Sequence, residues 1–586
     1  MQESTLHVAE NKNLRLGILF GGMVLVGCII IARLFFLMVI NHDYYKQQAD
    51  GSHGLFVELF PKRGSVFAQS TKTKEEFPLA MNRDHFTVFA DTRRIKTDDA
   101  AETAAEKLSA IFGYDDEQKY ALFLQLNKRT DPYEPLVHKV DEETVDKIKR
   151  AEVEGIHFNR TPLRVYPEGP VAAQVVGFVG KDEGGNDKGS YGVEGYWQQV
   201  LAGEEGFLEG ERSAGGKRIP LVGTLKKAQE DGADILLTID RTLQYHTCEI
   251  LRRYMTHFEA TGASLVILDP HTGAVRVMCS LPDFDPNTYN KVESIEVYNN
   301  KAIFTPYEPG SIFKPVAIAA ALNEGLITPD SYFYDTGSVD ANCLKEIKNA
   351  DGQIYKDTTM TGVLENSINT GMVHAVELLG KKVFREYVEQ FGFGVKAGVA
   401  LNTEVSGQVD SLYRNDRDEL DCYTATASFG QGITATPLQM ASAFGAIANG
   451  GTLLKPYVVE EVRYPSGKIE RYKAQEVRRV ISRQSAALLS GMLASVIDNG
   501  QAKAAQVEGY YVAGKTGTAQ IAEKGVYIDD TNHSFIGFGP VENPAFVIMV
   551  KLERPQNARF SSGSAAPAFG EIAKFVMDYL EIPPTR

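Results

Sequence analysis

The alternation of apolar and polar positions divides the chain into three stretches. Residues 16–40 are apolar but for Arg33, and a helix of about 25 residues rising ~1.5 Å each exceeds the ~30 Å hydrocarbon core of a bilayer. Lys12 and Arg15 precede this run and Asn41-His42-Asp43 follows it. That charge balance predicts a short cytoplasmic N-terminus over 1–15, one transmembrane helix over 16–40 with Arg33 snorkelling toward the far interface, and export of everything beyond. The run is too long for a cleaved signal peptide and no small-x-small site follows it, which predicts an uncleaved single-pass anchor in the plasma (inner) membrane.

Over 41–230 charged helical stretches such as Asp98–Phe112 alternate with short strand-like runs such as Phe86-Thr87-Val88-Phe89-Ala90, and no catalytic constellation occurs. Ser213-Ala214-Gly215-Gly216-Lys217 reads as a loop or linker near a boundary. From Asp234–Asp240 onward the pattern sharpens. Residues 263–268 and 274–278 are β-rich runs around the turn Asp269-Pro270-His271-Thr272-Gly273, and 534–538 and 546–552 flank Glu542-Asn543-Pro544 in the same way. Residues 510–521 read as a further strand, 316–322 (VAIAAAL) as a helix buried on nearly all sides, and 565–580 as an amphipathic helix. Thr436-Pro437-Leu438-Gln439 has capping-box spacing with proline at the first helical position, and Gly450-Gly451 ends the helix that follows. Strands at both ends with helices between predict an α+β domain, an antiparallel sheet covered by helices.

At 586 residues the chain has material for two or three domains, and 43% hydrophobic with 23% charged is ordinary for a globular protein. A formal net charge of −15 removes nucleic-acid binding, which needs a basic footprint. The five cysteines (Cys28, Cys248, Cys279, Cys343, Cys422) contain no C-x-x-C pair, so no zinc or thioredoxin-like site is indicated, and no metal or cofactor is expected. Cys343 and Cys422 lie in loop-like segments of the part expected to be exported, where oxidation is permitted. They are candidates for a disulfide whose Cα separation the sequence leaves open.

Candidate chemistry concentrates where the turn Tyr307-Glu308-Pro309-Gly310 runs into Ser311-Ile312-Phe313-Lys314-Pro315 and the apolar helix. Ser-x-x-Lys puts a hydroxyl and an amine on one helix face. The hydroxyl becomes a useful nucleophile only when a base takes its proton, and a lysine serves only if burial or a nearby cation keeps it neutral. Ile312, Phe313 and Pro315 supply apolar surroundings, and proline is tolerated in a first turn. Alone, the pair reads equally as a helix cap beside a solvated lysine. Two further clusters change that balance. Asn366-Ser367-Ile368-Asn369 and Gly514-Lys515-Thr516-Gly517-Thr518 follow in the order Ser-x-x-Lys, Ser-x-Asn, Lys-Thr-Gly, which is the signature of penicillin-binding proteins and class A β-lactamases.

On these motifs 231–583 resembles a serine D,D-transpeptidase domain of the penicillin-binding family. Asp234–Asp240 with Leu243-Gln244, and Phe429-Gly430-Gln431-Gly432-Ile433 as a glycine-rich loop, add to the likeness. Upstream, Pro61-Lys62-Arg63-Gly64-Ser65-Val66, Leu79-Ala80-Met81-Asn82, Arg164-Val165-Tyr166-Pro167 and Gly189-Ser190-Tyr191-Gly192-Val193-Glu194-Gly195 resemble the scattered motifs of the class B pedestal, although the first lacks the acidic tail that many members carry. The resemblance implies an elongated mixed pedestal or dimerisation domain over 41–230, and with the anchor the whole chain is similar to a class B member.

It also implies that Ser311 attacks the penultimate D-Ala carbonyl of a stem peptide while Lys314 accepts its proton, and that Ser367 relays the proton to the leaving amine. Asn369 would orient Lys314 and bind the substrate amide, and Lys515 would hold positive potential for the substrate carboxylate while disfavouring charge on Lys314. The N–H groups of Ser311 and Thr518 would form the oxyanion hole, worth ~3–4 kcal/mol per donor. Thr516 and Thr518 would offer hydroxyls to the carboxylate. Period-2 alternation puts Lys515 and Gly517 on one strand face, where a glycine would leave room for a peptide along the strand edge.

The implied function is cross-linking of peptidoglycan stem peptides, with inhibition by β-lactams, beside a membrane glycosyltransferase that polymerises the glycan. The Tyr-Glu-Pro-Gly-Ser run resembles the division type, which implies a septal role among divisome proteins; an elongation role, or a β-lactam sensor or scaffold with a vestigial site, remains as an alternative. A class A β-lactamase would carry Glu-x-x-Leu-Asn for its deacylating water, and none occurs. A bifunctional enzyme would need a glycosyltransferase domain, which 41–230 does not resemble.

Overall fold

The computed structural model describes residues 20, 23–25, 27, 29–31, 35, 54–59, 61–212, 218–414, 419–523 and 525–586. Its centre is a five-stranded sheet of β1 (Gly262–Leu268), β2 (Val275–Leu281), β3 (Ala513–Glu523), β4 (Val526–Gly539) and β5 (Phe546–Glu553). The order is β2-β1-β5-β4-β3 and every pair is antiparallel, so β3 is an edge strand. All seven residues of β1 are buried. Side chains alternate between faces, so both faces must be covered. Two helix pairs do this: α1 (Arg241–His257) with α6 (Ala565–Tyr579), and α4 (Pro437–Ala448) with α5 (Arg483–Asp498).

In sequence, α2 (Lys314–Asn323) and α3 (Asn369–Leu379) fall between β2 and β3, and they pack together. In α2 every position from Lys314 to Leu322 is buried, as its unbroken apolar run predicts. Phe313 just before it meets Phe393 edge-on with centroids 5.0 Å apart, and removing a ring so buried costs about 3–5 kcal/mol. The predicted capping box at the start of α4 is present: the Thr436 hydroxyl accepts from Gln439 N and the Gln439 side chain accepts from Thr436 N.

Strand Asp234–Asp240 lies parallel to Val66–Gln69 inside a mixed sheet that also holds Glu76–Ala90, Glu134–Val140, Ile156–Val165, Val459–Arg463 and Ile469–Arg471. The four dispersed upstream motifs converge here on Glu194, which is fully buried. Arg63 Nε and Arg164 Nε each donate to its carboxylate at 2.7 Å, and Arg164 also reaches Gly64 O and Asn82 Oδ1. A carboxylate so buried is tolerable because two guanidinium groups satisfy it. By compactness, 63–202 and 232–586 form one unit. The described residues of 1–62 and 203–231 form another, in which Gly54–Leu59, Gly206–Arg212 and Arg218–Lys227 make an antiparallel sheet. The loop expected at 213–217 lies outside the described residues.

Among the described residues two disulfides are present. Cys343–Cys422, with Cα atoms 4.8 Å apart, is the candidate pair, and Cys248–Cys279, at 5.9 Å, joins α1 to β2 without any local signal in the sequence.

One expectation about the fold is overturned. Among the described residues no helix is long and apolar enough to cross a membrane. A span needs about 20 consecutive apolar residues in one helix, and of the predicted span 16–40 only residues 20, 23–25, 27, 29–31 and 35 are described, the remainder of 1–53 lying outside the described residues. The α+β sheet covered by helices stands, but the transmembrane helix does not. The single-pass plasma-membrane localisation with its exported catalytic domain, and the membrane association that would have set the chain beside a membrane glycosyltransferase, lose their basis with it. The Cys343–Cys422 pairing therefore rests on the observed bond and not on the location.

Candidate active site

Ser311 stands in the 3-10 turn Gly310–Phe313, which leads directly into α2 and makes Lys314 the first residue of that helix. Gly310 has a left-handed backbone (φ 59°), and its N–H donates to Gly430 O at 3.0 Å. A Cβ on Gly430 would lie 2.3 Å from Gly310 O. The glycine-rich loop is thus in backbone contact with the serine turn, which its position in sequence could not establish. Glu308 ties the same rim further: its carboxylate accepts from Gly432 N at 3.1 Å and from the Tyr527 hydroxyl at 2.9 Å, and burial raises its pKa.

Ser367, between the short helix Met360–Glu365 and α3, has φ 54°. That conformation costs a non-glycine residue of order 1–2 kcal/mol, and it places the hydroxyl between two amines. Lys314 Nζ donates to Ser367 Oγ at 3.1 Å, to Ser367 O at 2.5 Å and to Asn369 Oδ1 at 2.8 Å. Lys515 Nζ, from β3, donates to the same Ser367 Oγ at 3.0 Å and to Thr516 O and Oγ1 at 3.3 Å.

Both amines are buried, Lys314 at 0% and Lys515 at 1% exposure. Burial first, and then the charge of Lys515, pushes Lys314 well below the usual lysine range; burial brings Lys515 down to about 7. A neutral Lys314 has two N–H groups and a lone pair, so in that form it donates to two of its three partners and can accept a proton, and Ser367 can pass a proton between the amines and the cleft.

Ser311, Ser367, Asn369, Thr516 and Thr518 line one open cleft of about 490 Å³, and Phe560 also lines it. The structure therefore brings together all five expected catalytic positions and both threonines. Gly517 differs from expectation. A Cβ there would lie 2.7 Å from Ser534 Oγ, 2.9 Å from Ile312 Cγ2 and 3.0 Å from Pro309 O. Its missing side chain lets β3 close on the serine turn and opens no space for a peptide. The free edge of β3 remains available for main-chain pairing.

Thr518 Oγ1 donates to Ser561 Oγ at 3.2 Å and accepts from Ser561 N at 3.0 Å. Ser561 lines the cleft, and nothing in the local run Phe560-Ser561-Ser562-Gly563 distinguishes it from an ordinary loop. Glu365, the carboxylate nearest Ser367 in sequence, accepts from the Ser495 hydroxyl and is not among the cleft-lining residues.

The penicillin binding protein transpeptidase domain family matches residues 263–574, and the penicillin-binding protein dimerisation domain family matches 58–237. The chain is 32% identical to stage V sporulation protein D of Bacillus subtilis, over 99% of this chain and 88% of the relative. It is 27% identical to the probable peptidoglycan D,D-transpeptidase PenA of Neisseria gonorrhoeae, over 100% and 96%. Among solved structures, penicillin-binding protein 3 from Mycobacterium tuberculosis, complexed with aztreonam, is similar at TM-score 0.69 and 26% identity, covering 90% of this chain and 98% of that one.

Proposed function

Because the chain belongs to the class B penicillin-binding proteins and is a serine-type D,D-transpeptidase of peptidoglycan synthesis, we propose that Ser311 is its nucleophile and the Lys314–Ser367–Lys515 array its proton path. Ser311 Oγ bonds to the penultimate D-Ala carbonyl carbon of a donor stem peptide, and its proton passes to the neutral Lys314 amine. Lys314 returns that proton through Ser367 to the nitrogen of the terminal D-Ala as the C–N bond breaks, leaving an ester on Ser311. An acceptor amine then attacks the ester carbonyl, giving up its proton along the same path, and Ser311 is regenerated. Asn369 Oδ1 holds Lys314 in register, and Lys515 with Thr516 faces the donor's terminal carboxylate.

The observation that carries this reading is the Ser367 hydroxyl, held at 3.1 and 3.0 Å between two buried amines in the cleft that Ser311 also lines. Glu365 is already engaged by Ser495, so it is not placed to activate water, and the ester should pass to amines in preference. The test is a donor peptide ending in D-Ala-D-Ala incubated with a labelled amine acceptor. Cross-linked product should exceed the hydrolysed donor, and predominant hydrolysis would refute the transferase reading.

We place the activity in septal synthesis, supported by the Tyr307-Glu308-Pro309-Gly310-Ser311 run. Depletion should then produce filaments, and rounded cells would indicate elongation instead. The likeness to a relative named for a sporulation stage favours a second reading, whose outcome is a sporulation defect in cells of normal shape.

A further inference from the structure

Helix α3 starts at Asn369, yet the residue before it, Ile368, has no side chain able to cap the first N–H groups. The missing acceptor comes from 20 residues upstream. Asn349 Oδ1 accepts the N–H of Asn369 at 3.0 Å and that of Thr370 at 3.2 Å. Asn369 Nδ2 donates to Lys348 O at 2.9 Å, which turns Asn369 Oδ1 toward Lys314 Nζ.

A carboxamide has one accepting and one donating side, so it caps a helix only if its orientation is fixed. Asp335 fixes that of Asn349. The Asn349 Nδ2 group donates to both Asp335 oxygens, at 3.0 and 2.9 Å, so Oδ1 must face the helix. Asp335 is fully buried and accepts three further hydrogen bonds: from Thr370 Oγ1 at 2.6 Å, Tyr355 N at 2.8 Å and Gly337 N at 2.9 Å. A buried carboxylate with its acceptor capacity filled is rigid, and moving any one donor leaves charge uncompensated.

We propose that Asp335, Asn349 and Thr370 are positioning residues for the reaction, holding Asn369 and through it the Lys314 amine in the geometry that removes the Ser311 proton. The inference rests on the reading of Lys314 as the base. It extends the active site to a segment, 335–355, that carries none of the three signature motifs and has no catalytic pattern of its own. The two amide N–H groups at the head of α3 and the Lys314 amine are linked by one residue, Asn369, so a shift of the cap is a shift of the amine. A displacement of about 1 Å at a reacting group slows chemistry by about two orders of magnitude.

The experiment measures penicillin acylation in the full chain, separating the rate constant of the covalent step from the dissociation constant of the preceding complex. Asn349→Ala should acylate about 10–100-fold more slowly with the dissociation constant changed less than about threefold. Thr370→Val, nearly isosteric, should slow the same step and Thr370→Ser should restore it, because serine keeps the donor to Asp335. If Asn349→Ala fails to fold, the valine and serine pair decides. Equal rates in Thr370→Val and Thr370→Ser, or a loss confined to affinity or to the active fraction, would overturn the proposal. Failure of the wild-type protein to acylate at Ser311 would instead refute the underlying reading.

Discussion

Gly517→Ala tests whether this glycine exists to let the strand close on the serine turn. A Cβ there meets Ile312 Cγ2 at 2.9 Å and Pro309 O at 3.0 Å, so to reach ordinary contact the turn must retreat by roughly 0.5 Å. Ser534 Oγ, at 2.7 Å, can rotate aside, but Pro309 O is backbone, and Pro309 lies two residues from Ser311. Overpacking of this kind costs about 1–3 kcal/mol, and a serine displaced on that scale should be acylated about 10–100-fold more slowly. The assay is stopped-flow acylation with a fluorescent penicillin, with melting temperature alongside. Gly491→Ala in α5 is the control, because nothing lies within 4 Å of its Cβ and alanine there should stabilise by up to ~1 kcal/mol. If Gly517→Ala acylates within twofold of wild type at unchanged stability, the close-approach argument is wrong.

With Lys515 at about 7, its charge is present below that pH and lost above it. Acylation by penicillins with a free carboxylate should therefore decline as pH rises past neutrality more than acylation by their methyl esters, and parallel pH profiles would contradict the role of Lys515. Burial alone would raise the Glu553 carboxyl, but Lys551 and Lys301 hold it down to about 2. Its contribution to stability is present above about pH 4.5 and is lost as pH falls toward 2. Glu553→Gln should remove that part of the acid dependence and cost about 3–5 kcal/mol near neutral pH by leaving Lys551 without its carboxylate, read by urea titration between pH 3 and 7. The Cys343–Cys422 bridge closes a separation of 79 residues; replacing both cysteines by serine should lower unfolding free energy by roughly 4–5 kcal/mol. An unchanged denaturation midpoint would refute that estimate.

What was legible in the sequence was local. Burial of 316–322, the Thr436–Gln439 capping box and the hairpins around 269–273 and 542–544 each depend on residues a few positions apart, and each is found. The three catalytic clusters were legible because each holds its chemistry within four residues. What stayed hidden depends on contacts between distant segments: Asn349 capping a helix that starts at Asn369, Ser561 paired to Thr518, Arg63 and Arg164 meeting on Glu194, and Cys248 bonded to Cys279. Strand alternation says which face Gly517 is on but not what packs against that face. The apolar run at 16–40 satisfied a length rule for membrane spans, and no spanning helix occurs among the described residues.

The central claim is that Ser311 forms a lasting acyl-enzyme. The direct measurement is intact mass and peptide mapping after reaction with a penicillin and removal of the excess. The account predicts one penicilloyl group per chain, mapped to the peptide containing Ser311, absent from Ser311→Ala and retained for many minutes. An adduct that persists in Ser311→Ala, or one released within seconds with repeated turnover, would contradict it.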